Sequence, residues 1–273
     1  MTPTTSHATR EKAGAPPTAS PRGRFIWYEL LANDESVAAR FYTNVLGWST
    51  ELFKRPVGQP PYTMWTTGGK ALGGLMTLPE DARVGGAPSH WLGYVAVPDT
   101  DASLAQATRR GARIHLEPMD LPEVGRIAVI GDPQGAALAL FTPTTSQAQP
   151  NEPPPEGIVS WHELATDDWK NAWDFYQDLF GWQKGEAMDM GAMGTYQIFT
   201  IDGVPSGAMF DRPPQIPVSN WLYYFRVPDL DRTVETIKAG GGEILNGPMD
   251  VPGGRIAQAM DPQGAAFAVH WIQ

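Results

Sequence analysis

The chain has 273 residues, a net charge of −10 and no cysteine. That charge argues against a nucleic-acid or anionic-membrane surface, and the missing thiols exclude disulfides, thiolate metal sites and cysteine nucleophiles. No apolar run approaches a bilayer span and the N-terminus has no apolar signal core, so a cytoplasmic protein is expected.

Residues 1–23 are Thr, Ser, Ala, Pro and charge without periodicity and read as a disordered tail. Phe25 to Leu31 alternates as a strand does. Asn33 and Asp34 can cap a following helix, whose face is Ala38, Phe41, Tyr42, Val45 and Leu46 and whose end is Gly47. Its aromatics read as core residues that pack a helix on a sheet. Strands follow at Trp48–Phe53, Tyr62–Thr67 and about Leu72–Leu78, which makes a βαβββ unit. The order then repeats: a strand at His90–Val97, a helix capped by Asp99 or Asp101 and ending near Gly111, and strands at Ala112–Leu116, Gly125–Ile130 and Ala136–Phe141. Asp132-Pro133-Gln134-Gly135 reads as a hairpin turn, with Asp, Pro and Gly at the positions such turns favour. Residues 143–157 carry five prolines among polar residues and read as a linker.

The second half restates the first. Trp27 to Trp48 aligns with Trp161 to Trp182 without a gap, and nine of the 22 positions are identical, too many for coincidence. Val97-Pro98-Asp99 recurs as Val227-Pro228-Asp229, Pro118-Met119-Asp120 as Pro248-Met249-Asp250, and the turn Asp132 to Gly135 as Asp261 to Gly264. The expected architecture is therefore α+β: four tandem βαβββ modules in two homologous domains, residues 24–142 and 158–273.

The Phe-Tyr helix ending in Leu-Gly-Trp or Phe-Gly-Trp, the Val-Pro-Asp strand end and the Asp-Pro-Gln-Gly turn together resemble the vicinal oxygen chelate superfamily of glyoxalases, bleomycin-resistance proteins and extradiol dioxygenases. The chain is most similar to its two-domain glyoxalase-like members, some of which carry the label hydroxylase. The resemblance implies that each pair of modules curls into a cup, with metal ligands on defined strands. Those ligand positions fall here on Trp27, Leu92 and Ala139, and on Trp161, Leu222 and Ala268 in the second half. None is a ligand type, so no metal and no other cofactor is expected.

Strand residues two apart share a face, which sets Glu29 beside Trp27, Glu163 beside Trp161, His90 beside Leu92 and His270 beside Ala268. Each cup thus keeps one carboxylate and one imidazole, Glu29 with His90 and Glu163 with His270; Glu29 and Glu163 are the candidate general bases, weighed against a hydrogen-bonded pair with a structural role. Trp27, His90, Trp161 and His270 are candidate ligand contacts, each weighed against a structural role. Arg126 and Arg255, repeated on corresponding strands, can reach an anionic ligand or salt-bridge across the sheet. Trp91 and Trp221 suit ligand stacking or core packing. His162 reads as a packing or surface residue, and Met188, Met190 and Met193 as an adaptable loop at the second cup's mouth.

Two functions are carried forward. One is a metal-free protein that binds a small organic molecule in one or both cups, as a monomer or homodimer. The other is a glyoxalase-like lyase or related enzyme acting on a small carbonyl compound, with a cup glutamate as base. A scaffold with vestigial cups is the third option.

Overall fold

The computed structural model describes residues 22–54, 62–145 and 155–273. The expected tail, apart from its last two residues, and the middle of the expected linker lie outside these residues. The first module holds β1 (Phe25–Ala32), α1 (Glu35–Leu46), β2 (Ser49–Phe53), β3 (Tyr62–Thr67) and β4 (Lys70–Thr77). A short helix α2 (Glu80–Val84), not anticipated from the sequence, leads to the second: β5 (His90–Ala96), α3 (Thr100–Arg109), β6 (Arg113–Leu121), β7 (Gly125–Gly131) and β8 (Ala137–Pro143). The third holds β9 (Val159–Thr166), α4 (Trp169–Phe180), β10 (Gln183–Asp189), β11 (Thr195–Ile201) and β12 (Val204–Asp211). The fourth holds β13 (Asn220–Arg226), α5 (Leu230–Ala239), β14 (Glu243–Val251), β15 (Gly254–Met260) and β16 (Ala266–Ile272).

Each half forms one eight-stranded sheet, ordered β2-β3-β4-β1-β5-β8-β7-β6 in the first and β10-β11-β12-β9-β13-β16-β15-β14 in the second. The fold is α+β with tandem βαβββ modules. Modules join through antiparallel β1–β5 and β9–β13 pairs, which places the first strands of both modules side by side at mid-sheet. The strand expected to end at Leu116 runs on to Leu121, past Pro118. A register shift between Leu116 and Met119 accommodates that proline on an edge strand. No helix among the described residues is long and apolar enough to cross a membrane.

Local chemistry sets the helices. Asp34 and Asp168 cap α1 and α4 by accepting backbone N–H groups of the first turn. Gly47 and Gly181 end them in the left-handed conformation, at φ of 71° and 75°, which costs glycine little. The tryptophan after each glycine then crosses to the other half. Trp48 Nε1 donates to Gly157 O (3.0 Å) and Trp182 Nε1 to Gly23 O (2.7 Å). A Cβ on Gly23 would stand 2.6 Å from Phe180 O, and one on Gly157 2.8 Å from Trp48 Nε1.

The repeated turn crosses the same seam. Gln134 bonds both backbone groups of Asp168, accepting from its N–H (2.6 Å) and donating to its carbonyl (2.8 Å). Gln263 does the same to Asp34, at 2.7 and 2.9 Å. Tyr176 Oη donates to Asp132 (2.8 Å) and Tyr42 Oη to Asp261 (3.3 Å). The helix-covered faces of both sheets thus share one core, in which Phe41 packs on Phe267 and Trp48 on Phe225. Each tryptophan removes ~150–250 Å² from water, about 4–6 kcal/mol at ~25 cal/mol per Å². Exposed ion pairs across the seam, Arg24–Asp202 and Arg110–Asp178, are worth ~0–1 kcal/mol each. Apolar burial therefore holds the halves together.

Candidate functional site

The face of each sheet turned away from the shared core carries the cup residues. In the first half it presents Trp27 and Glu29 on β1, Leu92 and Tyr94 on β5, Ile127 and Val129 on β7, and Ala139 and Phe141 on β8, which form a second, smaller apolar cluster around the acid. Glu29 is nearly buried, and both its oxygens accept tyrosine hydroxyls: Oε1 from Tyr62 (2.6 Å) and Oε2 from Tyr94 (2.6 Å). Tyr62 Oη in turn accepts from Trp27 Nε1 (3.1 Å). The chain of donors runs Trp27, Tyr62, Glu29, drawn from β1 and β3, with Tyr94 closing from β5.

The second cup repeats this with an addition. Glu163 Oε1 accepts from Tyr196 (2.6 Å), which accepts from Trp161 Nε1 (2.8 Å), and Oε2 accepts from Tyr224 (2.6 Å). Gln258, where the first cup has Val129, donates from Nε2 to Tyr224 Oη (2.7 Å) and to Glu163 Oε2 (3.3 Å), while its carbonyl accepts from Asn246 (3.3 Å). Burial pushes the Glu163 carboxyl up, against the opposing pull of bonds from Tyr196, Tyr224 and Gln258. Burial beside Glu163 also holds Tyr196 and Tyr224 well above the usual phenol range, so both remain donors.

The sequence-derived candidates divide accordingly. Trp27 with Glu29, and Trp161 with Glu163, come together as alternation predicted. His90 faces the first cup opposite Leu31, one step beyond Glu29, and spends Nδ1–H on Pro88 O (2.8 Å). Burial first, then the neighbouring His115, push its pKa down. His270 lies at the other end of its cup. The Ser160 hydroxyl is committed to Tyr224 O (3.2 Å), so His270 Nδ1 donates to Ser160 Oγ (3.1 Å). Burial, then Arg226, lower its pKa. For Glu163, the pairing with an imidazole is replaced by pairing with tyrosines and Gln258.

Arg126 and Arg255 do not join the cups. They leave β7 and β15 on the opposite face from Ile127 and Ile256 and each binds one helix acid and one acid of the neighbouring edge strand: Arg126 to Asp101 (2.6 Å) and Asp120 (2.9 Å), Arg255 to Asp231 (2.8 Å) and Asp250 (3.4 Å). Trp91 and Trp221 point into the shared core, where their Nε1 groups donate to Tyr42 and Tyr176. His162 is a buried packing residue at the seam. Met188 pairs with Tyr196 across β10 and β11, and Met190 and Met193 are exposed in the short turn beyond it.

The sequence reading missed Tyr62, Tyr94, Tyr196 and Tyr224. A signal existed: Tyr62 and Tyr196 stand 134 residues apart, and Tyr94 and Tyr224 130 apart, the offsets of the surrounding repeats. Gln258 and His115 have no repeated partner and gave no such signal.

The resemblance places metal ligands at six positions of the two cups. Trp27, Leu92 and Ala139, with Trp161, Leu222 and Ala268, offer no oxygen, imidazole or thiolate donor. No group of three or more His, Cys, Asp or Glu among the described residues is arranged to hold an ion. One acid per cup, with both oxygens already accepting hydroxyls, does not fit a divalent site that needs several converging donors. An open groove of about 640 Å³ lies outside the cups, at the seam beside Arg22, Arg110 and Asp178. Within it Arg22 donates to Asp178 O (3.1 Å) and Leu179 O (3.2 Å), and Arg110 pairs with Asp178.

The sequence model of the Glyoxalase/Bleomycin resistance protein/Dioxygenase superfamily matches residues 24–140 and 158–269. The chain is 33% identical over 247 residues to the "Putative glyoxylase CFP32" of Mycobacterium tuberculosis, covering 89% of this chain and 92% of that one. It is 32% identical over 259 residues to the anthracycline biosynthesis protein DnrV of Streptomyces peucetius, covering 90% and 92%. Among solved structures, the Mn(II)-bound glyoxalase from Novosphingobium aromaticivorans superposes with a TM-score of 0.61 at 16% identity, over 93% of this chain and 82% of that one. A variant of homoprotocatechuate 2,3-dioxygenase from Brevibacterium fuscum gives 0.61 at 17% identity, over 93% and 74%.

Proposed function

Because the chain belongs to the glyoxalase, bleomycin-resistance protein and dioxygenase superfamily, we propose that it binds a small, partly aromatic molecule in its cups without the family metal. One observation carries this reading. Where metal members need ligands, each cup has Trp, Leu and Ala, and a buried glutamate held by two tyrosines stands beside them. A flat ligand has apolar walls and an indole to stack on. The carboxylate and hydroxyls would orient its polar groups, as the few polar groups of an apolar pocket do. The relatives named for anthracycline biosynthesis make an anthracycline the first probe. The test is a fluorescence titration of chelator-treated protein, repeated with Zn, Ni, Fe or Mn added. Binding unchanged by metal is expected. Binding or turnover that rises with one of these metals and falls with chelator overturns the reading.

A second reading has a specific observation behind it. The Glu163 carboxyl is pushed up by burial, the direction that makes a carboxylate a stronger base. It would then abstract a proton from a small carbonyl substrate, consistent with the glyoxylase relative. Chelator-insensitive turnover of a hemithioacetal, lost in Glu163→Gln and retained in Glu29→Gln, favours this over plain binding.

A further inference from the structure

Glu163 is supplied with donors but not with charge. A carboxylate offers about four lone-pair sites. Tyr196, Tyr224 and Gln258 fill three of them, and all three donors are neutral. No ion pair among the described residues involves Glu163, which is only 7% exposed. A buried anion without a counter-charge is costly and is relieved by a proton or by a cation.

The surroundings suit a cation. Three aromatic side chains, Trp161, Tyr196 and Tyr224, are tied to Glu163 through their own polar atoms. Tyr196 is also stacked on Phe210 (ring centroids 5.7 Å apart, 27° between planes), which fixes its ring. Trp161 and Tyr196 are half-buried while Tyr224 is buried, so the cluster meets solvent through Trp161 and Tyr196. Aromatic faces attract organic cations, and ammonium groups in particular are held by such walls. The net charge of −10 draws cations toward the protein.

We infer that the second cup recognises the cationic amine of its ligand, with Glu163 as counter-charge and Trp161 and Tyr196 as walls. The inference rests on the cup being a binding site, as proposed above, and adds the charge of what it binds.

The probes are benzyltrimethylammonium and its neutral isostere neopentylbenzene, titrated by calorimetry into the full chain. The cation should bind about tenfold or more tightly than the isostere. Glu163→Gln should abolish that preference while the neutral probe still binds, and Arg255→Ala, on the opposite face of the sheet, should leave the preference intact. A second variant guards against misfolding of the first: Gln258→Lys keeps the carboxylate and places an internal ammonium beside it. It too should lose the preference, with a thermal midpoint at or above that of the parent. Equal affinity for both probes in the parent chain overturns the charge inference and leaves cup binding standing. If neither probe binds, both readings fall. A preference that survives Glu163→Gln also overturns the inference.

Discussion

Tyr28 and His162 occupy the same position in the two repeats, and in the folded chain they bond each other, with 2.7 Å between Oη and Nε2. The pseudo-twofold relation between the halves brings equivalent strands together at this point. Ser206 O accepts from His162 Nδ1 (2.6 Å), so Nε2 is the acceptor and Tyr28 the donor. The imidazole stacks on Phe25 with ring centroids 3.9 Å apart. Beside it Tyr223 Oη accepts the N–H of Gly93 (2.9 Å), again a pair of equivalent positions.

This geometry makes stability sensitive to acid. Burial lowers the His162 pKa from 6.5 to about 4. Between those values the unfolded chain binds a proton that the folded chain refuses. Stability is therefore full above 6.5 and falls with pH toward 4, by about 3 kcal/mol at most. Asp132, Asp261 and Glu163, raised by burial, act with the opposite sign, losing stability as pH rises. The difference between the parent and His162→Gln isolates the histidine. Urea midpoints measured across this range should fall in the parent below pH 6.5 and fall less steeply in the variant, where His90 and His270, also lowered by burial, still contribute.

Gly93 is the other half of the same contact. A Cβ there would lie 2.6 Å from Tyr223 Oη and 3.0 Å from Phe25 Cε1, in a buried seam. Gly93→Ala should lower stability by ~1–3 kcal/mol, the usual cost of overpacking. A thermal midpoint equal to that of the parent would mean that Tyr223 moves aside freely.

The docking turns should make the halves unfold as one. Tyr176→Phe leaves the buried Asp132 carboxylate without its 2.8 Å partner and should cost ~1–3 kcal/mol. Gln134→Ala removes two exposed bonds to Asp168 and should cost less, about 1 kcal/mol. A single cooperative denaturant transition is expected throughout, followed by both tryptophan fluorescence and far-UV circular dichroism. Two separated transitions in the parent would show that the seam is weaker than its aromatic packing implies.

Arg126 and Arg255 provide a control. Each pairs with exposed acids on the helix side of its sheet. Arg126→Ala and Arg255→Ala should leave cup binding unchanged and alter stability by less than about 1 kcal/mol. A marked loss of ligand affinity in either would return these residues to the binding site.

The amino-acid sequence determined the modules and their duplication. Capping at Asp34 and Asp168, helix ends at Gly47 and Gly181, and strand alternation through Trp27 and Glu29 are local effects, and local effects can be read along a chain. Alternation also implied that Trp91 points away from Leu92, yet which of those faces is concave depends on sheet curvature, which no single strand encodes. The tyrosines that hold Glu29 come from β3 and β5, and only the order of strands brings them to one carboxylate. The Asp-Pro-Gln-Gly turns look the same in sequence whether they close a hairpin or dock a domain. Their second role follows from packing one half against the other, where Gln134 and Gln263 find backbone groups left open at the start of a helix.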